Sequence, residues 1–227
     1  MKNIFSVAVL ACFMILTCQN PIQAQTNGET QHQHVVTCKG VSVPPGKLPE
    51  FGCFVVASAK GLQFSQKDVY WHLSSFPTRA AAEAAKTPSG LVVEEEGKVW
   101  LSEFSHDKAP FRGGESIAVV GPLQLLPAKS YDADIVYAVL QPGAIAPSHT
   151  HAGPEAWYVI SGEQCLETPD GTIRAGAGKT MFVKHSTPME LKITGTEVRR
   201  SLTLVIHDSS RAFGENSDWK ATGACGK

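Results

Sequence analysis

The sequence predicts a mainly β protein, an all-β sandwich or barrel preceded by a smaller α+β region. Two observations carry this. Between Tyr131 and His207 the chain breaks into short apolar runs separated by turn residues every eight to twelve positions. That rhythm belongs to antiparallel strands, and no helical pattern interrupts it. Upstream, between Phe51 and Gly121, strand-like runs surround one alanine-rich segment with helical character.

The N-terminus is set apart from the fold. Lys2 gives a positive start, Ile4 to Leu16 is apolar, and "NPIQAQ" supplies small residues for cleavage after Ala24. This is the layout of a secretory signal peptide, residues 1–24. The apolar run is too short to span a bilayer, which takes ~20 residues. A second reading places a lipid anchor on Cys18 of "ILTC", although Leu16 and Thr17 fit that pattern poorly. Either way the mature chain is expected in the periplasm or outside the cell.

Residues 25–50 form a polar leader and a proline-rich loop. His32 and His34 lie in that leader and read as surface histidines. Export implies an oxidising compartment, and Cys38, Cys53, Cys165 and Cys225 remain after cleavage. An even number of cysteines there suggests disulfides, Cys38 with Cys53 and Cys165 with Cys225; the alternative is buried thiols.

In the region 51–124, "CFVVASA" and "DVYWHL" read as strands. "SSFPTRAAAEAAK" reads as a short helix, with Pro77 and Thr78 at its start. "LVVEEEGKVWLSEF" reads as a hairpin turning near Glu96-Gly97, and "ESIAVVG" as a further strand. His72 and His106 read as packed or exposed histidines rather than ligands. In the region 125–210 the strand runs are "ADIVYAVL", "EAWYVIS", "EQCLET", "GTIRAG", "KTMFVK", "MELKIT" and "RRSLTLVIHD". Residues 211–227 form a C-terminal tail.

With 227 residues, 43% hydrophobic and a net charge of −1, the chain has material for one good core and a smaller annex. Bulk charge gives no attraction for nucleic acid or an anionic membrane. The densest basic spot, "VRRS" at 198–201, reads as a solvated strand end. Ser-His-Asp arrangements, phosphate loops and dinucleotide fingerprints are all missing from the sequence. The pair His207-Asp208 reads as a surface turn.

Chemistry concentrates in "PGAIAPSHTHAGPEAWYVISG". On a strand His149 and His151 share a face, because side chains alternate. Glu155 follows after "AGP", whose glycine and proline can turn the carboxylate toward the imidazoles. Two histidines and a carboxylate suit a divalent transition metal (Fe, Mn, Zn, Ni, Co or Cu) and leave open coordination positions. The alternative is a buried hydrogen-bonded network without metal.

Gly143, His149, His151, Glu155 and Gly162 match the first motif of the cupin superfamily, Gly-x5-His-x-His-x3-Glu-x6-Gly, at every specified position. The resemblance covers roughly residues 125–210. It implies a jelly-roll β-barrel, with His149, His151 and Glu155 lining the barrel and holding a metal, and a homodimer. The second motif departs from the family. Gly178 fits, but Lys184 and Ser186 replace proline and glycine, and Met189 falls where the last histidine ligand belongs. Three readings stand open. Three ligands hold the metal beside an apolar Met189; His185 replaces the lost ligand; or the pocket works without metal. Beside these three stands soft-metal binding through the Met189 thioether. Trp157 and Gln164 are candidate pocket-lining residues with Met189.

Two functions follow. One is a metal-dependent enzyme, of dioxygenase, isomerase or lyase type, acting on a small organic molecule. The other is a non-catalytic module that binds a small molecule with a degenerate metal site or none.

Overall fold

The structure, a computed structural model, describes residues 41–42, 50–111 and 113–226. All belong to the unit spanning 33–227. The signal-peptide reading, His32, His34, Cys18 and Cys38 lie outside the described residues.

In chain order the strands open with β1 (Val41–Ser42), β2 (Gly52–Leu62) and β3 (Asp68–Phe76), followed by the helix α1 (Arg79–Ala85). Then come β4 (Leu91–Glu95), β5 (Lys98–Ser105), β6 (Glu115–Gln124), β7 (Tyr131–Leu140) and β8 (Ile145–Thr150). The remainder are β9 (Glu155–Ser161), β10 (Glu163–Thr168), β11 (Gly171–Gly176), β12 (Thr180–Val183), β13 (Met189–Thr194), β14 (Arg199–Asp208) and β15 (Glu215–Asn216). The mainly β class holds.

Three sheets form. A six-stranded sheet runs β1-β2-β7-β14-β9-β12, a five-stranded sheet runs β11-β10-β13-β8-β15, and a four-stranded sheet runs β4-β5-β3-β6. The two larger sheets share one apolar cluster, with Val136, Trp157 and Val159 from the first and Leu166, Leu191 and Ile193 from the second. This is a jelly-roll arrangement of two facing sheets rather than one continuously closed barrel.

The central strands β7 and β14 of the six-stranded sheet are buried on both faces, which explains why they read as nearly unbroken apolar runs. Alternation along β14 sends Leu202, Leu204 and Ile206 to one side and Ser201, Thr203 and Val205 to the other. The first set packs with Val69, Trp71, Leu73 and Trp100 of the four-stranded sheet. The annex therefore covers the outer face of the sheet that carries the site. Burying that face is favoured by about 25 cal/mol per Å² of apolar surface.

Local structure follows local chemistry. Thr78 caps α1 by accepting from the Ala81 N–H, satisfying an otherwise orphaned donor. Glu96 and Gly97 have φ of 55° and 68°, the two left-handed positions that a tight hairpin turn requires. The strand "CFVVASA" forms as β2, but it pairs with β7 in the large sheet and not with the annex strands that follow it. Strand pairing is long-range, so the run alone could not name its partner. At the C-terminus Cys165 of β10 is bridged to Cys225, and Glu167 accepts from the Thr222 hydroxyl at 2.7 Å.

Candidate metal centre

His149 lies on β8, His151 one residue beyond it, and Glu155 opens β9. Between them "AGP" folds tightly against β14. A Cβ on Gly153 would stand 1.6 Å from the Ile206 carbonyl oxygen, so only glycine lets the turn approach. Pro154 then delivers Glu155 to the inner face of the six-stranded sheet.

One ligand atom from each of His149, His151 and Glu155 lies within 4.8 Å of the others. His151 and Glu155 are buried, while His149 is partly exposed and marks the open side. His185 is not in this group, among the described residues.

Both imidazoles are oriented from behind. His149 Nδ1 donates to the Pro147 carbonyl at 2.7 Å, and His151 Nδ1 donates to the Phe213 carbonyl at 2.6 Å. These acceptors assign the ring protons to Nδ1, leaving Nε2 of each ring as a lone-pair nitrogen. A backbone acceptor behind a histidine is the usual support for a metal ligand.

Glu155 Oε2 is buried without a hydrogen-bond partner, yet it lies 3.1 Å from His151 Nε2. With the proton on Nδ1 that contact sets lone pair against lone pair. The contact becomes favourable when a second ring proton or a cation supplies positive charge there. Burial alone would lower the pKa of His151, but the Glu155 charge and the hydrogen bonds to Glu155 and Phe213 raise it on balance. His149 is lowered, by burial first, with Glu155 opposing. A proton satisfies the carboxylate through one ring only; a divalent ion engages all three groups at once. The donor set fits a metal.

The cavity beside the centre is narrow, about 30 Å³. That is on the order of two waters, at ~10–15 Å³ each. Trp157 lines it, together with Val136, Ala138, Leu191, Arg199 and Thr203. Met189 and Gln164, the other two candidates from the sequence, are not among its walls. Met189 packs in the apolar cluster between the sheets, and Gln164 donates to Met181 Sδ at 3.3 Å.

Two readings of the sequence are corrected. Arg199 is not a solvated strand end: it is 1% exposed, because alternation along β14 turns it inward with Ser201 and Thr203 and leaves Arg200 outside. His207 is not in a surface turn. It is buried, and its Nε2 lies 3.3 Å from Asp134 Oδ2 on β7. Reasoning from sequence also missed Phe213, whose carbonyl is a backbone group with no side-chain signature. His72 is a packed histidine, bonded through Nε2 to Ser105 and to the Asp107 carbonyl.

Residues 136–206 match the family model described as "Cupin domain". Among solved structures, a cupin superfamily protein of Desulfitobacterium hafniense aligns at 14% identity, over 34% of this chain and 68% of that one, with a TM-score of 0.32. The DMSP lyase DddQ of Ruegeria pomeroyi aligns at 16% identity, over 39% and 45%, with a TM-score of 0.34. Oxalate decarboxylase of Bacillus subtilis, a protein with Mn(II) centres, aligns at 22% identity, over 38% and 23%, with a TM-score of 0.30. No curated protein matches the chain.

Proposed function

We propose that the chain, whose residues 136–206 match a cupin-domain model, is an exported, metal-dependent enzyme acting on a small organic molecule. The observation that carries the reading is the convergence of one ligand atom each from His149, His151 and Glu155 within 4.8 Å, with His151 and Glu155 buried. His149 Nε2, His151 Nε2 and a Glu155 oxygen would hold the ion. A divalent ion held by three protein ligands supplies Lewis acidity and keeps coordination positions open.

The chain's own residues do the rest. The carbonyls of Pro147 and Phe213 hold both rings in one tautomer and one orientation. Trp157, Val136, Ala138 and Leu191 give the cavity an apolar wall, and low polarity there strengthens the electrostatic interactions inside. Met189 contributes apolar packing in place of a fourth ligand. The narrow cavity favours a second reading, in which the same centre binds a small molecule without turning it over.

Metal analysis of purified protein tests the centre. Wild type is expected to carry about one transition metal per chain and His149→Ala/His151→Ala none. Equal contents in the two proteins overturn the reading. Oxygen uptake or product formation by the loaded protein then separates an enzyme from a binding module. Export rests on Lys2, the apolar run from Ile4 and "NPIQAQ". It predicts that protein recovered from its native source begins at Gln25; recovery of an intact Met1 would refute it.

A further inference from the structure

Arg199 opens β14, and its side chain lines the cavity with His149, His151 and Glu155. A buried guanidinium ordinarily meets a carboxylate that matches its forked donors. Here the Arg199 Nη1 donates to the Ser201 hydroxyl, and the buried Nε has no partner. Among the described residues no carboxylate oxygen forms an ion pair with Arg199. Its neighbour Arg200 shows the contrast, with its Nε 3.1 Å from Glu96 Oε1.

The charge balance points the same way. Glu155 is the acid whose charge reaches Arg199, yet one of its oxygens faces His151 at 3.1 Å. Add a divalent ion, and one carboxylate must offset both that ion and a guanidinium. The excess positive charge is buried and needs an anion. The remaining walls are apolar apart from Thr203, whose Oγ1 lies 3.3 Å from Ser201 Oγ. The narrow cavity admits a group of few atoms.

We propose that the ligand of this cavity is a small organic carboxylate, gripped by the Arg199 guanidinium beside the metal centre. The carboxylate supplies the acceptor that the Arg199 Nε lacks, and its charge balances the site. Its short apolar remainder lies against Trp157 and Leu191. This assignment rests on the metal-centre reading for its charge balance, but the Arg199 contact is independent of the ion.

Acetate and its neutral isostere acetamide are the probes, titrated calorimetrically into Zn(II)-loaded and into chelator-stripped protein. Acetate is expected to bind both forms, more tightly when loaded, and acetamide to bind at least tenfold more weakly. Arg199→Gln should weaken acetate binding about tenfold or more in both forms, and Arg199→Lys, which lacks the fork, by less. Should either variant fail to fold, the arginine Nε–H resonances of isotope-labelled wild type give the answer. One of them must shift when acetate is added and stay in place with acetamide. Equal binding of the two probes, or acetate binding that ignores both substitutions, overturns the proposal. Arg199-dependent acetate binding by a protein that takes up no Zn(II) supports it and overturns the metal reading alone.

Discussion

Met189 stands directly opposite His149 across the β8–β13 ladder. Residues paired in this way carry Cβ atoms about 4.5–5.5 Å apart on one face. The position where the cupin pattern resembled by this sequence has a histidine therefore remains beside His149, filled by a thioether. Met189→His should place a fourth nitrogen donor next to His149. Metal affinity is expected to rise at least tenfold, measured by competition with a chromophoric chelator. Without metal the new imidazole is buried with no designed partner, so the stripped variant should lose about 1–3 kcal/mol of stability. Unchanged affinity would mean that the side chain at 189 does not reach the ligand atoms.

The candidate ligands were legible because metal binding demands particular side chains at particular spacings. His149, His151 and Glu155 carry that demand in their order along the chain. Arg199 was not legible. "VRRS" reads as charged and therefore wet, and which arginine turns inward depends on the pairing of β14 with β7 and β9. Phe213 acts through its carbonyl, delivered by the two-residue strand β15 against β8; a backbone acceptor leaves no trace in residue type. β8 itself was missing from the strand runs because proline, serine and histidine break its apolar alternation. The annex strands could be read, but their role could not. Only tertiary contact shows Trp71 and Trp100 packing beneath the site-bearing sheet.

Asp134 should give the fold an acid-sensitive element. Burial would raise the pKa of its carboxyl, but hydrogen bonds from His207, Ser58 and Lys60 outweigh it and hold the group at about 2. A folded-state pKa below the unfolded one contributes stability that is fully present above about pH 4 and is lost as pH falls through about 2. The contribution is on the order of 2 kcal/mol. Urea denaturation of wild type and Asp134→Asn between pH 2 and 7 should show the difference between them full at neutral pH and shrinking toward pH 2. A gap independent of pH would assign the effect to packing instead.

The Cys165–Cys225 bridge closes a sequence separation of 60. On the loop-entropy account, removing it should cost about 4 kcal/mol, by releasing the unfolded chain from that constraint. Glu167 also accepts from the backbone N–H and the hydroxyl of Thr222, so the tail should stay docked in the native state. Cys165→Ala/Cys225→Ala is thus expected to lower the urea midpoint while leaving metal content unchanged. A loss of metal along with the bridge would show that the tail supports the centre.

Gly214 offers a way to disturb the centre without touching a ligand. A Cβ there would sit 3.1 Å from His151 Cε1 and 3.2 Å from His151 Nδ1. Its φ lies outside the left-handed region, so alanine meets no backbone strain. The added methyl must push on the imidazole or on the Phe213 carbonyl that orients it. Loss of such a supporting contact typically weakens metal binding 10–100-fold. Gly214→Ala should fold normally, hold metal in that weakened range by chelator competition, and recover affinity when Phe213→Ala gives the ring room to move. Wild-type affinity in the single variant would show that β15 yields before His151 does, and that the tautomer of His151 depends less on Phe213 than the 2.6 Å hydrogen bond implies.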